Sequence, residues 1–193
     1  MKQVLSPDTG PVTQTADATL DAEELLHLAL AASRRDKREE AIAFLKRAVA
    51  LSTNDARLHF LLGAEHAQIG LYERAIEEMH RALQLDPGLD IAHFQVGLLH
   101  LTCGRPQAAA DAWTALDRLD PADPLYLFKT GLLHLSRDEF SDCEARLREG
   151  IAANRSNQPL NQDMARMLAE VRSRLASNRR AMPSASPTLR PSV

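Results

Sequence analysis

Five of the seven histidines fall on a fixed spacing. His66, His100 and His134 recur at an interval of 34, and His59 and His93 repeat it. Imidazole is the commonest zinc ligand and titrates near neutral pH, so a histidine series invites a metal or a proton relay. Zinc needs its ligand nitrogens about 2.0–2.1 Å from a single ion. His59 and His66 lie two helical turns apart, roughly 10 Å along a helix axis. Equivalent histidines of neighbouring units stand about 8–10 Å apart, a helix-packing distance. One ion does not gather three of them. The series therefore reads as interior, hydrogen-bonded residues, and no metal is expected.

The other reactive residues also fall short of a catalytic constellation. Cys103 and Cys143 lie in different units of the period with no metal-ligand spacing, and they read as free thiols. Cys103 falls in a turn and is expected to be accessible; Cys143 takes a small-residue position and is expected to be buried and inert. Asp8-Thr9-Gly10 matches the triplet of aspartic proteases, but it sits in a Thr/Pro/Gly/Asp-rich segment without the strands that mechanism needs. There is no phosphate-binding glycine loop and no nucleophile elbow. The chain reads as non-catalytic, with no cofactor.

What positions these residues is the period itself. Ala29, Gly63, Gly97 and Gly131 are spaced by 34, as are Ala41, Ala75, Ala109 and Cys143, and Leu45, Met79, Trp113 and Leu147. A constant period of this length marks stacked supersecondary units, none of which buries its apolar face alone. Hydrophobic residues make up 45% of the 193 and charged residues 25%, enough for one continuous core. No run of 18 apolar residues is present, and Met1 to Leu20 lacks the apolar stretch of a secretory signal, so a cytoplasmic protein is expected. The net charge is −3, but residues 146–193 carry nine arginines against three acidic residues. Those arginines lie on one expected helix and a tail without aromatic residues to stack bases, so they read as a solvated face and no nucleic acid is expected.

Four units of two helices each are expected, at 22–55, 56–89, 90–123 and 124–157. Residues 1–20 are expected to be a disordered tail. Gly70 and Gly104 fall where the first helix of a unit ends, and a left-handed cap there suits glycine; Asp36 and Asp138 hold the same place in the outer units. Pro87 and Pro121 end second helices, and Asn54 or Asp55, Asp90 and Asp123 are candidate N-caps. Residues 158–177 depart from the period but place Leu160, Met164, Met167, Leu168, Val171 and Leu175 at helical spacing. They are expected to form an amphipathic helix capping the array, followed by a basic Ser/Pro tail over 178–193.

These residues resemble the tetratricopeptide repeat family. With position 1 at Ala22, Ala56, Asp90 and Pro124, repeat two supplies Leu62, Gly63, Ala75, Met79, Ala82 and Pro87 at its signature positions. Repeat three supplies Val96, Gly97, Ala109, Trp113, Leu116 and Pro121. The resemblance spans 22–157, the greater part of the chain. The outer repeats depart from it, with Thr53 and Arg155 for the proline and Ala29 for the first glycine. Position 11 holds Ala32, His66, His100 and His134 where the family has tyrosine. The resemblance implies an all-α fold, an α-solenoid in which helix-turn-helix repeats wind into a right-handed superhelix.

It also implies a concave groove lined by positions 2, 5, 9 and 12 of each first helix. Here those positions are apolar, most of all in the C-terminal half: Phe60, then Ile91, Phe94, Leu98 and Leu101, then Leu125, Phe128, Leu132 and Leu135. A soluble monomer rarely exposes an apolar patch beyond a few hundred Å². The expected function is a protein–protein interaction scaffold or adaptor, with an apolar peptide or amphipathic helix of another protein in the groove. Three alternatives stay open: a secretion-type chaperone shielding a hydrophobic client segment, self-association through the same surface, and coverage of the groove by the chain itself. The family's clamp for acidic chaperone C-termini is rejected, because Leu, Phe and Ala at positions 5 and 9 would leave a carboxylate desolvated and unpaired.

Overall fold

The computed structural model describes residues 20–181, with side chains through residue 178. All regular structure among them is helical: α1 (Ala22–Arg34), α2 (Arg38–Leu51), α3 (Ala56–Gln68), α4 (Tyr72–Leu85), α5 (Asp90–Thr102), α6 (Pro106–Trp113), α7 (Pro124–Leu135), α8 (Phe140–Ala153) and α9 (Gln158–Ala181). The first helices of the four units begin at Ala22, Ala56, Asp90 and Pro124, and the second at Arg38, Tyr72, Pro106 and Phe140, so both series keep the period of the sequence. The two helices of each hairpin pack on each other, and each second helix packs on the helix that opens the next unit, which is the contact pattern of an α-solenoid. None of the described helices is long and apolar enough to cross a membrane.

The turns repeat as strictly as the helices. Gly70 and Gly104 adopt φ of 78° and 71°, and Asp36 and Asp138 adopt 59° and 60°. In each turn an amide reaches back to the carbonyl five residues earlier: Lys37 to Ala32, Leu71 to His66, Arg105 to His100 and Glu139 to His134, at 2.9–3.0 Å. A left-handed residue closes this ring, whatever its side chain. N-capping is less regular. Asp21 forms a reciprocal capping box with Glu24, while the carboxylates of Asp55 and Asp123 accept from the amides of Arg57 and Leu125. Asp90 is not a cap; it opens α5 as its first residue, and its carboxylate pairs instead with Arg118.

The small residues of the period do what their size permits. Gly63, Gly97 and Gly131 face the second helix of their own hairpin, and a Cβ at Gly63 would lie 2.9 Å from Met79 Cγ. At Gly97 a Cβ would fall inside the Trp113 indole. Trp113 is buried and donates its Nε1–H to the Phe94 carbonyl at 3.0 Å, so its polar edge is satisfied. At this point α6 ends, and the chain continues as a 3-10 segment, Thr114–Arg118, that still buries Leu116.

Two features of α9 differ from expectation. Its first residue, Gln158, stands 34 after Pro124, so the helix begins in phase with the repeats although its residues do not carry their signature. It also runs to Ala181, so Asn178–Ala181 is helix rather than tail. Leu160, Met164, Leu168 and Val171 are buried, whereas Arg166, Glu170, Ser173 and Arg174 are exposed. Leu20, assigned from composition to the N-terminal tail, packs on the first core cluster. The remaining tail expectations, residues 1–19 and 182–193, lie outside the described residues, as does Asp8-Thr9-Gly10.

Candidate interaction surface

The nine apolar residues expected to line the groove divide into two groups. Phe94, Phe128 and Leu132 are fully buried, at 0% exposure, and belong to the core. Phe94 stacks on Trp113 with ring centroids 6.0 Å apart and meets Phe128 at 6.2 Å. Phe128 in turn lies over the bare backbone of Gly150 on α8. A long aromatic at position 5 thus turns into the layer between helices, because Gly150 and the early end of α6 leave room there. These three residues cannot touch a partner, and the groove reading is corrected at their positions. Aspartate at Phe94 and Phe128 would put charge into the core and unfold the C-terminal half rather than test binding.

Phe60, Ile91, Leu98, Leu101, Leu125 and Leu135 are half-buried. Phe60, Ile91 and Leu125 come together at the N-terminal ends of α3, α5 and α7, around a cavity of about 440 Å³. Leu98, Leu101 and Leu135 lie further along α5 and α7, packed on the C-terminal core cluster, with Leu135 bordering a smaller cavity against α9.

Sequence reasoning missed the rest of the first cavity's lining: Gln95, Asp123, Pro124, Asn154, Ser156, Asn157 and Leu160. Three asparagines at 154, 157 and 161 fix that wall. Asn154 is buried; its Nδ2 donates to the Asn157 carbonyl and to Asn161 Oδ1, both at 2.9 Å. Asn161 Nδ2 returns a bond to the Asn154 carbonyl at 3.0 Å, and Asn157 Oδ1 accepts from the Leu160 amide at 3.1 Å. The amides thus pin the α8–α9 junction, and with it one side of the trough. Their spacing around an expected helix start was the available signal. The lining carries one charged residue, Asp123, whose Oδ1 is already engaged by the Leu125 amide at 2.8 Å. An apolar floor with amide groups on its rim suits an uncharged segment whose backbone needs hydrogen-bond partners.

The histidines do not converge on an ion. Among the described residues no group of three His, Cys, Asp or Glu side chains has metal-holding geometry. His59 Nδ1 meets Glu78 Oε2 at 2.7 Å and His134 Nδ1 meets Glu139 Oε2 at 2.6 Å. His66 is buried with neither ring nitrogen partnered by another protein group, which corrects the expectation that the series is uniformly hydrogen-bonded. Cys143 is buried, and burial alone pushes its thiol up to about 11, while Cys103 is half-buried in its turn.

Stacked helical hairpins with a common period define the α-solenoid class, whose members commonly serve as protein–protein interaction scaffolds. Residues 56–89, the second hairpin, match the tetratricopeptide repeat family. The hairpins on either side of that match repeat its geometry, so the described chain has the tetratricopeptide-repeat fold. Comparison with curated proteins gives no match. Among solved structures, MamA from Desulfovibrio magneticus RS-1 is similar over 84% of this chain and 97% of its own, at 20% identity and a TM-score of 0.59. A tetratricopeptide repeat protein from Parabacteroides merdae ATCC 43184 is similar over 88% of this chain and 64% of its own (17% identity, TM-score 0.66). The Cut9–Hcn1 hetero-tetramer of the APC/C shares the fold at a TM-score of 0.71 and 15% identity, with 83% of this chain covering 31% of that one. At these identities the likeness is one of fold. Repeat proteins of this kind are in general scaffolds without catalysis.

Proposed function

We propose that the chain is an adaptor that holds an apolar, uncharged segment of another protein in the trough formed by Phe60, Ile91 and Leu125. The observation that carries this reading is the 440 Å³ cavity with an apolar floor and the amide rim of Gln95 and Asn157. Side chains of Leu or Phe size fill such a space, and each contributes roughly 1.5–3 kcal/mol when fully buried, before association costs are subtracted. The polar rim engages the peptide groups that an apolar segment brings with it.

A peptide library panned on the full chain tests the reading. Bound sequences are expected to share one or two large apolar residues without flanking charge. Ile91→Ser combined with Leu125→Ser is expected to weaken them at least tenfold while the helical circular dichroism spectrum is retained. Equal binding by the folded double variant would remove the trough as the site.

A further inference from the structure

Position 11 holds a histidine in three successive repeats, and the three differ in one physical respect. His134 has a carboxylate partner, Glu139, at 2.6 Å. His66, only 3% exposed, has both ring nitrogens buried without a protein partner, and the Nδ1 of His100 is buried in the same way. A neutral imidazole held this way leaves one N–H donor and one acceptor nitrogen unpaired but carries no charge. An imidazolium carries N–H on both, so protonation adds a further unpaired donor and a full charge to the packing layer.

The groups that face these rings do not offset the cost. Around His66, α2 contributes Lys46 and α4 contributes Arg74 and Glu78. Glu78 is engaged by His59, and Glu65, next to His66 on α3, is held by Arg38 of α2 at 3.2 Å. Around His100, α4 contributes His80 and Glu73, and the turn into α6 contributes Arg105, which holds Glu73 at 2.8 Å. Burial foremost, then the nearby cations Lys46 and Arg105 respectively, keeps both imidazoles below their ordinary value.

We propose that His66 and His100 make the packing of α3, α4 and α5 an acid-sensitive hinge, which loosens when their ring nitrogens are protonated while α7 and α8 stay packed. An unfolded chain takes up these protons near pH 6.5, whereas the folded chain resists them until the pH is lower. Stability therefore falls as the pH drops through and below about 6.5, and is insensitive to these two groups above it. Each histidine changes the unfolding equilibrium by up to tenfold per pH unit in that window. The hinge holds whether or not the trough binds a peptide; since α3 carries Phe60 and α5 carries Ile91, it also lies under one side of that trough.

Urea unfolding of the full chain between pH 7.5 and 5.5 tests the hinge, with His66→Phe/His100→Phe compared against wild type. The wild-type unfolding constant is expected to rise several-fold to a hundredfold across the range, and the double variant to lose most of that rise. The proposal is overturned if the folded variant keeps the wild-type slope. Hydrogen exchange of the wild type decides the matter should the variant not fold. Corrected for the intrinsic pH effect, amides of α3 to α5 are expected to lose protection at pH 5.5 while those of α7 and α8 keep it; uniform loss, or loss beginning in α7 and α8, overturns it as well.

Discussion

Gly97 and Gly63 occupy the same place in successive repeats, yet their surroundings set opposite limits. Replacing a mid-helix glycine with alanine ordinarily gains about 0.5–1 kcal/mol, because glycine loses more backbone freedom on folding. At Gly63 a new methyl would lie 2.9 Å from Met79 Cγ, in the middle of a flexible chain that has other rotamers, and 3.0 Å from the backbone oxygen of Ala75. At Gly97 the methyl meets the indole of Trp113, which is rigid, buried and tied to the Phe94 carbonyl. Gly97→Ala is expected to destabilise the chain by about 1–3 kcal/mol through overpacking. Gly63→Ala is expected to cost less than Gly97→Ala, because Met79 can yield and the helix-forming gain offsets part of the close approach to the Ala75 carbonyl. Urea midpoints at pH 7.5 measure both, and equal costs would show that Trp113 does not set the spacing of that hairpin. The sequence could place both glycines against the second helix; it could not show which neighbour yields, since that depends on side-chain stiffness in three dimensions.

At the scale of the element, the turn geometry was legible because four hairpins demand the same left-handed residue. Gly70 and Gly104 supply it without strain, whereas Asp36 and Asp138 adopt positive φ with a Cβ in place, a conformation that costs an L-residue roughly 1–2 kcal/mol. Asp138→Gly is accordingly expected to raise stability by about 0.5–1 kcal/mol, part of the relief being offset by glycine's freedom in the unfolded chain. Asp36→Gly should gain less, since Asp36 accepts from Arg38 Nε at 2.9 Å and that bond would be lost. Thermal melts of the two variants rank them; a lower Tm for Asp138→Gly would contradict the strain argument. Other element-level features were hidden for physical reasons. Asp90 looks like a cap, but Leu89 precedes the helix, and the carboxylate finds Arg118 instead. Phe94 and Phe128 sit at groove positions by periodicity, yet a gap left by Gly150 and by the 3-10 ending of α6 draws them inward. Period tells which face of a helix a residue is on; it does not tell how far a long side chain swings toward an adjacent layer.

At the scale of the molecule, the apolar interior of the described residues is divided into three clusters rather than one. The first joins α1, α2 and α3, a smaller one joins α4 and α5, and the largest runs from Phe94 through Trp113, Phe128 and Leu147 to α9. In such an array each repeat is stabilised by its own packing and by its immediate neighbours, so damage stays local. Met164 of α9 tests this, because it is fully buried in the C-terminal cluster, in the second turn of a helix that no further described repeat covers. Met164→Ala is expected to cost about 2–5 kcal/mol, the range for truncating a buried side chain. The loss should appear as faster amide exchange in α7, α8 and α9, with α1 and α2 at wild-type protection. An equal loss in α1 and α2 would mean that the chain unfolds as one cooperative block. In that case acid could not open α3 to α5 while leaving α7 and α8 closed, so the same measurement bears on whether the array can flex at its middle at all.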